Sequence, residues 1–157
     1  MTQILSINPA NGREMERFES WDETRIEQAL DETSRAATGW AGESFAARAS
    51  RLRAVAGILR ARAPELARLI TEEMGKPVTE SDAEIEKCAQ VCEYYAEHGE
   101  AFLADEPIQS DADRSFVTFP PLGTVLAIMP WNFPFWQVFR CAVPALMAGN
   151  TLLLKHA

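Results

Sequence analysis

The chain changes its hydrophobic rhythm twice, and the changes divide it. Near the amino end, Ile4-Leu-Ser-Ile7 and Arg13 to Phe18 flank Asn8-Pro-Ala-Asn-Gly12. Asn-Gly readily supplies the positive φ of a tight turn, so a small hairpin is predicted. From Ser20 onward apolar side chains return every three or four positions, the period of amphipathic helices. Ser20-Trp-Asp-Glu23 has capping-box spacing, and Ile26, Ala29, Leu30, Thr33, Ala37 and Trp40 share a face. A helix over about 22–38, stopped by Gly39, follows from the N-cap, C-cap rules. A second helix is predicted from Ser44 to Ala63, with Phe45, Ala49, Leu52, Val55, Ala56 and Leu59 on its apolar stripe. Arg48, Arg51, Arg53, Arg60 and Arg62 fall largely off that stripe and read as a solvated face rather than an anion site. Pro64 opens a third helix that ends at Met74, before Gly75 and Pro77. A fourth starts near Thr79 or Ser81, with Ile85, Cys88, Ala89, Cys92, Tyr95 and Phe102 as its buried stripe. His98, with Gly99 behind it, reads as a capping or solvated residue at a helix end.

Between Ala104 and Ser115 the pattern turns polar, which marks the one candidate boundary, and Phe116-Val-Thr-Phe119 reads as a short strand in an extended hairpin over 108–119. The rhythm then changes again. Thr124 to Ile128 is an apolar, β-branched run, Met129 to Pro134 interrupts it, and Phe135 to Ala148 is an uncharged helical run. Gly149-Asn150 stops that helix, and Thr151-Leu-Leu-Leu-Lys155 is a second apolar strand. Strand, helix and strand at this spacing predict a right-handed β-α-β unit with parallel strands. The fold class is therefore α/β. Ligands gather at the carboxyl ends of such strands, where Trp131, Asn132 and Lys155 stand.

With 157 residues and 47% hydrophobic content, the chain can bury the core of one ordinary domain. Its net charge of −8 is uneven, since no acidic residue follows Asp113. An acidic chain without a Lys/Arg cluster argues against nucleic acid as partner. Cys88, Cys92 and Cys141 form no Cys-x-x-Cys pair, and the amino terminus lacks a basic-then-apolar segment, so a reducing, cytoplasmic setting is expected. Cys88 and Cys92 stand one helical turn apart, but with no His or acid expected on their stripe they read as packing rather than metal ligands or a redox pair. Cys141 also reads as core. Residues 115–139 are uncharged, yet four prolines, Gly123 and Asn132 within them argue against a membrane span. No repeat or low-complexity segment is present.

Three polar residues of the last third invite chemistry. Asn132 precedes a helix, where it would serve equally as an N-cap or as an uncharged N–H donor to a developing oxyanion. Lys155 ends an apolar strand, either snorkelling to the surface or reaching a ligand at the sheet edge. Arg140 is the only charge between Arg114 and Lys155; it either reaches solvent or meets an anion. There is no Gly-x-Gly-x-x-Gly or Walker loop.

The run Pro121-Leu-Gly-Thr-Val-Leu-Ala-Ile-Met-Pro-Trp-Asn-Phe-Pro134, followed by Ala148-Gly-Asn and Leu-Leu-Lys155, resembles the first third of an aldehyde dehydrogenase. The resemblance extends from Ile7-Asn-Pro-Ala-Asn-Gly12 to the last residue and is nearest to the succinate-semialdehyde subgroup. It implies a helical amino-terminal part of a cofactor domain over 1–103, an extended arm over 104–121 that pairs with a neighbouring subunit of a homo-oligomer, and over 122–157 the first β-α-β unit of a Rossmann-like parallel sheet. It implies that NAD or NADP binds without a glycine fingerprint, that Met129, Pro130 and Trp131 line the cofactor cleft, and that Lys155 bonds the adenosine ribose. It favours the oxyanion role for Asn132 and assigns Arg140 to a substrate carboxylate. The implied reaction is oxidation of a small aldehyde, succinate semialdehyde, to the acid through a thiohemiacetal on a cysteine absent from this chain. The family's general-base glutamate and most of its sheet also correspond to positions after Ala157, so the chain alone is expected to be inactive, its last strand an unpaired edge. At His156, where many relatives carry proline, the departure is shared by the nearest subgroup. The alternative expectation is a truncated, non-catalytic cofactor-binding or assembly module.

Overall fold

The computed structural model describes residues 3–157, so the first two residues of the expected 1–103 part lie outside it. Strands β1 (Gln3–Ile7) and β2 (Glu14–Glu19) pair antiparallel around Gly12, whose φ of 70° closes the turn. Four helices follow: α1 (Glu23–Ala41), α2 (Phe45–Ala61), α3 (Ala63–Met74) and α4 (Val78–Phe102). Asp22, not Ser20, caps α1, its carboxylate accepting from the Arg25 N–H at 2.8 Å. The helix also runs past Gly39 to Gly42. An interior glycine costs only about 1 kcal/mol of helix propensity, and Trp40 beyond it is anchored, its indole N–H donating to the Leu146 carbonyl at 2.9 Å. Ser44 caps α2, Pro64 sits in the first turn of α3, and Gly75 ends α3 with φ 77°.

The long helix α4 is the centre of the core, packed against α2, α3 and α5 (Trp136–Met147). Leu52, Ala56, Leu59, Ile70, Ile85, Cys88, Ala89, Cys92, Val143 and Met147 meet there. Two expectations for α4 change. It continues to Phe102, which is 53% exposed, while Tyr95 is half-buried; both stand against Tyr94 and Phe102 stacks near His98, in an aromatic cluster on the outer face. His98 lies within about one turn of the end of α4, near the terminus as expected, and is partly exposed. Gly99 is buried, and a Cβ there would collide with Met147 Cγ, so α4 and α5 pack closely at this point.

The arm-like stretch carries β3 (Glu106–Pro107) and β4 (Phe116–Val117), antiparallel and only two residues each. Pairing starts before Ile108 and stops short of Phe119, because Pro120 and Pro121 lack the N–H that would extend the ladder. Strands β5 (Thr124–Ile128) and β6 (Thr151–Lys155) then pair in parallel, from Thr124↔Thr151 to Ile128↔Lys155, with α5 between them as the spacing predicted. Helices α1 and α5 both pack on this pair, and Thr151 Oγ1 donates to the Thr33 carbonyl at 3.3 Å. No helix among the described residues is long and apolar enough to cross a membrane.

Candidate active site

The parallel register brings the carboxyl ends of β5 and β6 together: the Met129 N–H donates to the Lys155 carbonyl at 3.0 Å, one step beyond the last ladder pair. The chain then turns through Met129 to Pro134 before α5 begins. Asn132 is exposed in this turn, and so is Lys155 at the end of its strand. Trp131, the residue before Asn132, is 64% exposed.

Asn132 is not the cap of α5. The N-cap position of that helix is Phe135, which offers no capping side chain. Its free N–H groups find their acceptor on another helix: Glu84 Oε1 of α4 accepts from both Phe135 N–H and Trp136 N–H, each at 2.9 Å. A carboxylate suits the positive end of a helix. The second Glu84 oxygen pairs with the Lys76 ammonium, and that ammonium also lies 3.6 Å from the centre of the Phe133 ring. Glu84 and Lys76 are 4% and 7% exposed, so this is a buried pair. Sequence reading missed both residues. The signal was the register: Glu84 falls in step with Ser81, Ile85, Cys88 and Cys92, all buried. This also corrects the expectation that no acid shares the cysteine stripe.

An open groove of about 470 Å³ lies beside the turn. Met129, Pro130, Trp131, Pro134 and Val138 form one wall, and the β1–β2 hairpin forms the other through Ile4, Ile7 and Phe18. The hairpin is docked by Ser6 Oγ donating to Glu73 at 2.7 Å. The structure thus brings Met129, Pro130 and Trp131 into one mostly apolar surface with an exposed indole. Asn132 follows these residues in sequence and Lys155 pairs with Ile128 just before them, but neither lines the groove. Arg140 stands apart, exposed on α5 one residue past Phe139, which packs on the core.

The profile of the aldehyde dehydrogenase family matches residues 1–157, the whole chain. The chain belongs to this family. A probable NADP-dependent succinate-semialdehyde dehydrogenase of a Synechocystis strain is 48% identical over 98% of this chain and 34% of its own length. An Escherichia coli succinate semialdehyde dehydrogenase described as NAD(P)-dependent is 46% identical over 99% of the chain and 34% of its own length. The crystal structure of succinic semialdehyde dehydrogenase from Streptococcus pyogenes, in complex with NADP+, superposes with a TM-score of 0.93 at 30% identity, covering 98% of this chain and 34% of that one. The chain spans about a third of the length of the curated relatives it matches. The likeness first read from Pro130-Trp-Asn-Phe-Pro134 is therefore that of a true aldehyde dehydrogenase segment.

The resemblance implies a cysteine nucleophile, and Cys88 and Cys92 are not built for that role. Burial pushes the Cys88 thiol up to about 12, with the nearby Glu84 charge adding to the shift, and burial pushes Cys92 up to about 11. Thiols so far from ionising are poor nucleophiles and pack as small apolar groups. Cys141 is only half-buried, short of the core position expected for it. The described residues contain no group of three or more side chains able to hold a metal ion.

The carboxyl end of α5 is held as firmly as its start. The Ala145 carbonyl accepts from Asn150 N–H at 2.9 Å, and the Leu146 carbonyl accepts from both Gly149 N–H and the Trp40 indole. The Met147 carbonyl takes Arg48 Nε at 3.0 Å, while Arg48 Nη1 reaches the Glu43 carbonyl at 2.6 Å. Arg48 was expected on a solvated face, yet it is 4% exposed. Its guanidinium has five N–H donors and a flat face, here stacked 4.5 Å over Phe45, so it can be buried where loop and helix carbonyls need partners. Burial lowers its pKa from the ordinary arginine value, opposed by the Glu43 charge. Asn150 completes the join, its Oδ1 accepting from Leu122 and Gly123 N–H at 2.6 and 3.1 Å just before β5.

Proposed function

We propose that this chain supplies the start of the cofactor sheet and the oxyanion donor for NAD- or NADP-dependent oxidation of succinate semialdehyde to the acid. The observation that carries the reading is the parallel β5–β6 pair, whose adjoining carboxyl ends present the Met129–Asn132 turn and Lys155 on the same edge. The groove walled by Met129, Pro130 and Trp131 fits one end of a dinucleotide, because an indole and proline rings offer flat apolar contact to a planar ring. Lys155, on a strand end, would donate to ribose hydroxyls. When bound, the dinucleotide accepts the hydride that leaves the substrate carbon. Asn132 would donate its amide N–H to the aldehyde oxygen as negative charge builds there, and an amide does so without a competing charge. Arg140 would engage the substrate's far carboxylate through its planar fork. The nucleophilic thiol comes from outside the three cysteines of this chain. Residues 104–121 would form the arm of a homo-oligomer, and the assembled enzyme would work in the cytoplasm.

Steady-state kinetics of a full-length polypeptide carrying these 157 residues test the reading. Asn132→Ala should lower kcat by about 10²- to 10³-fold with KM little changed. Arg140→Ala should raise KM for succinate semialdehyde far more than for an uncharged aldehyde of similar length. An unaltered kcat would end the role of Asn132, and equal KM losses on both aldehydes would end that of Arg140.

A further inference from the structure

Asn132 stands in a short turn between two fixed points. On the strand side the Met129 N–H is tied to the Lys155 carbonyl; on the helix side Phe135 and Trp136 are tied to Glu84. A donor to a reacting oxygen must be held to within a fraction of an ångström, since misplacement by about 1 Å can cost on the order of 100-fold in rate. The strand side is ordinary ladder. The helix side is not. Pro134, Phe135 and Trp136 carry no acceptor that could cap the helix they begin, and α5 has no acidic residue in its first turn. Its first turn is fixed instead by a carboxylate 51 and 52 residues earlier in the chain, itself held by a buried ammonium that also presses on the ring of Phe133, the neighbour of Asn132. Lys87, also on α4, lies 4.0 Å from the Trp136 ring centre and holds the same turn from outside.

We propose that Glu84, aligned by Lys76, is a positioning residue for Asn132: it sets the first turn of α5 and Phe133, and through them the carboxamide one residue before. The proposal rests on the oxyanion reading of Asn132 and adds to it a second helix on which catalysis depends. Glu84 touches no reacting atom. Its removal should therefore act on the rate and not on binding.

The test is a double-mutant cycle in the full-length polypeptide, with kcat, both KM values and thermal midpoints measured for Glu84→Gln, Asn132→Ala and the pair. Glu84→Gln keeps the volume but exchanges the carboxylate for an amide facing Lys76. Its kcat should fall between about 10- and 100-fold while KM for aldehyde and dinucleotide stays within about twofold. In the Asn132→Ala background the same substitution should cost less than about threefold, because the group it positions is gone. If Asn132→Ala alone leaves kcat intact, the functional reading itself fails. If Asn132→Ala is slow but Glu84→Gln is not, or if the two losses multiply, only the positioning role is overturned and Glu84 is a structural cap. Should Glu84→Gln fold poorly, Glu84→Gln with Lys76→Met removes the stranded ammonium. Phe133→Leu, at an exposed residue, loosens the same clamp without touching the core; unchanged kcat in both of these would likewise overturn the proposal.

Discussion

Helices α3 and α5 are both 12 residues long, yet their ends are made in opposite ways. Helix α3 carries its own punctuation: Pro64 in the first turn, Glu65 beside the positive end and Gly75 in the left-handed conformation at the other. Helix α5 carries almost none. Its start is closed by Glu84 of α4, and its end by Trp40 of α1 and Arg48 of α2 together with the turn through Gly149 and Asn150. A helix that ends itself can be placed by local sequence; one that borrows its ends is placed by the rest of the fold. Asn132 stands just before the start of α5, so its geometry depends on α4, which supplies Glu84.

The contrast is sharpest in the two buried cations. Lys76 and Glu84 hold the start of α5, and breaking such a buried pair on one side typically costs about 3–5 kcal/mol because the remaining charge is stranded. For this reason the rate test above uses a near-isosteric change. Arg48 holds the other end. Arg48→Met would leave the Met147 and Glu43 carbonyls without this donor, and it is expected to lower stability by about 2–4 kcal/mol in urea unfolding followed by tryptophan fluorescence. Activity per folded molecule should survive, since the carboxyl end of α5 is remote in sequence from Asn132. A loss of kcat equal to that of Glu84→Gln would erase the distinction between the two ends.

These residues also show where sequence reading reached and where it stopped. The β5-α5-β6 order, the boundaries of α3 and the Pro130-Trp-Asn-Phe-Pro134 turn were readable because strand rhythm, prolines and glycines act within a few residues of themselves. Arg48 and Glu84 were misread or passed over because polarity was allowed to outvote register. Arg48 adjoins Ala49 and precedes Leu52 by one turn; Glu84 precedes Cys88 by one turn. Both positions point inward by helical period. What made their burial affordable lies about 100 residues away for Arg48 and about 50 away for Glu84, in backbone groups no local pattern reveals. Gly39 failed as a stop for the related reason that a glycine ends a helix only where the following backbone has somewhere else to go.

The self-punctuated helix should respond more weakly. Gly75 has φ 77°, and an added Cβ would come within 3.3 Å of Pro9 Cγ in the turn of the hairpin. Gly75→Ala is therefore expected to cost about 1 kcal/mol from the left-handed conformation, with a smaller part from the hairpin contact. The measurement is again a urea midpoint, with Arg48→Met in parallel. A larger loss for Gly75→Ala than for Arg48→Met would mean that local caps, and not borrowed ones, dominate this fold.

The smallest effect belongs to the exposed counterpart of the Lys76–Glu84 pair. Arg60 on α2 reaches across to α4, bonding Glu86 at 3.0 Å and Glu93 at 2.5 Å. It thus ties α2 to α4, the helix that carries Glu84, but in water. Its hydrogen bonds hold the Glu86 and Glu93 carboxyls below the ordinary glutamate value of 4.5, and the two carboxylates raise the Arg60 pKa in return. A depressed carboxyl pKa stabilises the folded chain above the unfolded value, and that contribution disappears as pH falls through the lowered folded value. Arg60→Gln should therefore show its small loss of stability near neutral pH and in low salt, and converge on the parent below pH 4.5 as the carboxylates protonate. Raising ionic strength should erase most of the difference at neutral pH, because exposed charges are screened. The loss of rate in Glu84→Gln should persist in the same salt, since buried pairs are screened much less. If salt abolished both effects alike, the Lys76–Glu84 pair would behave as a surface contact, and the α5 start would not be held in the way its burial implies.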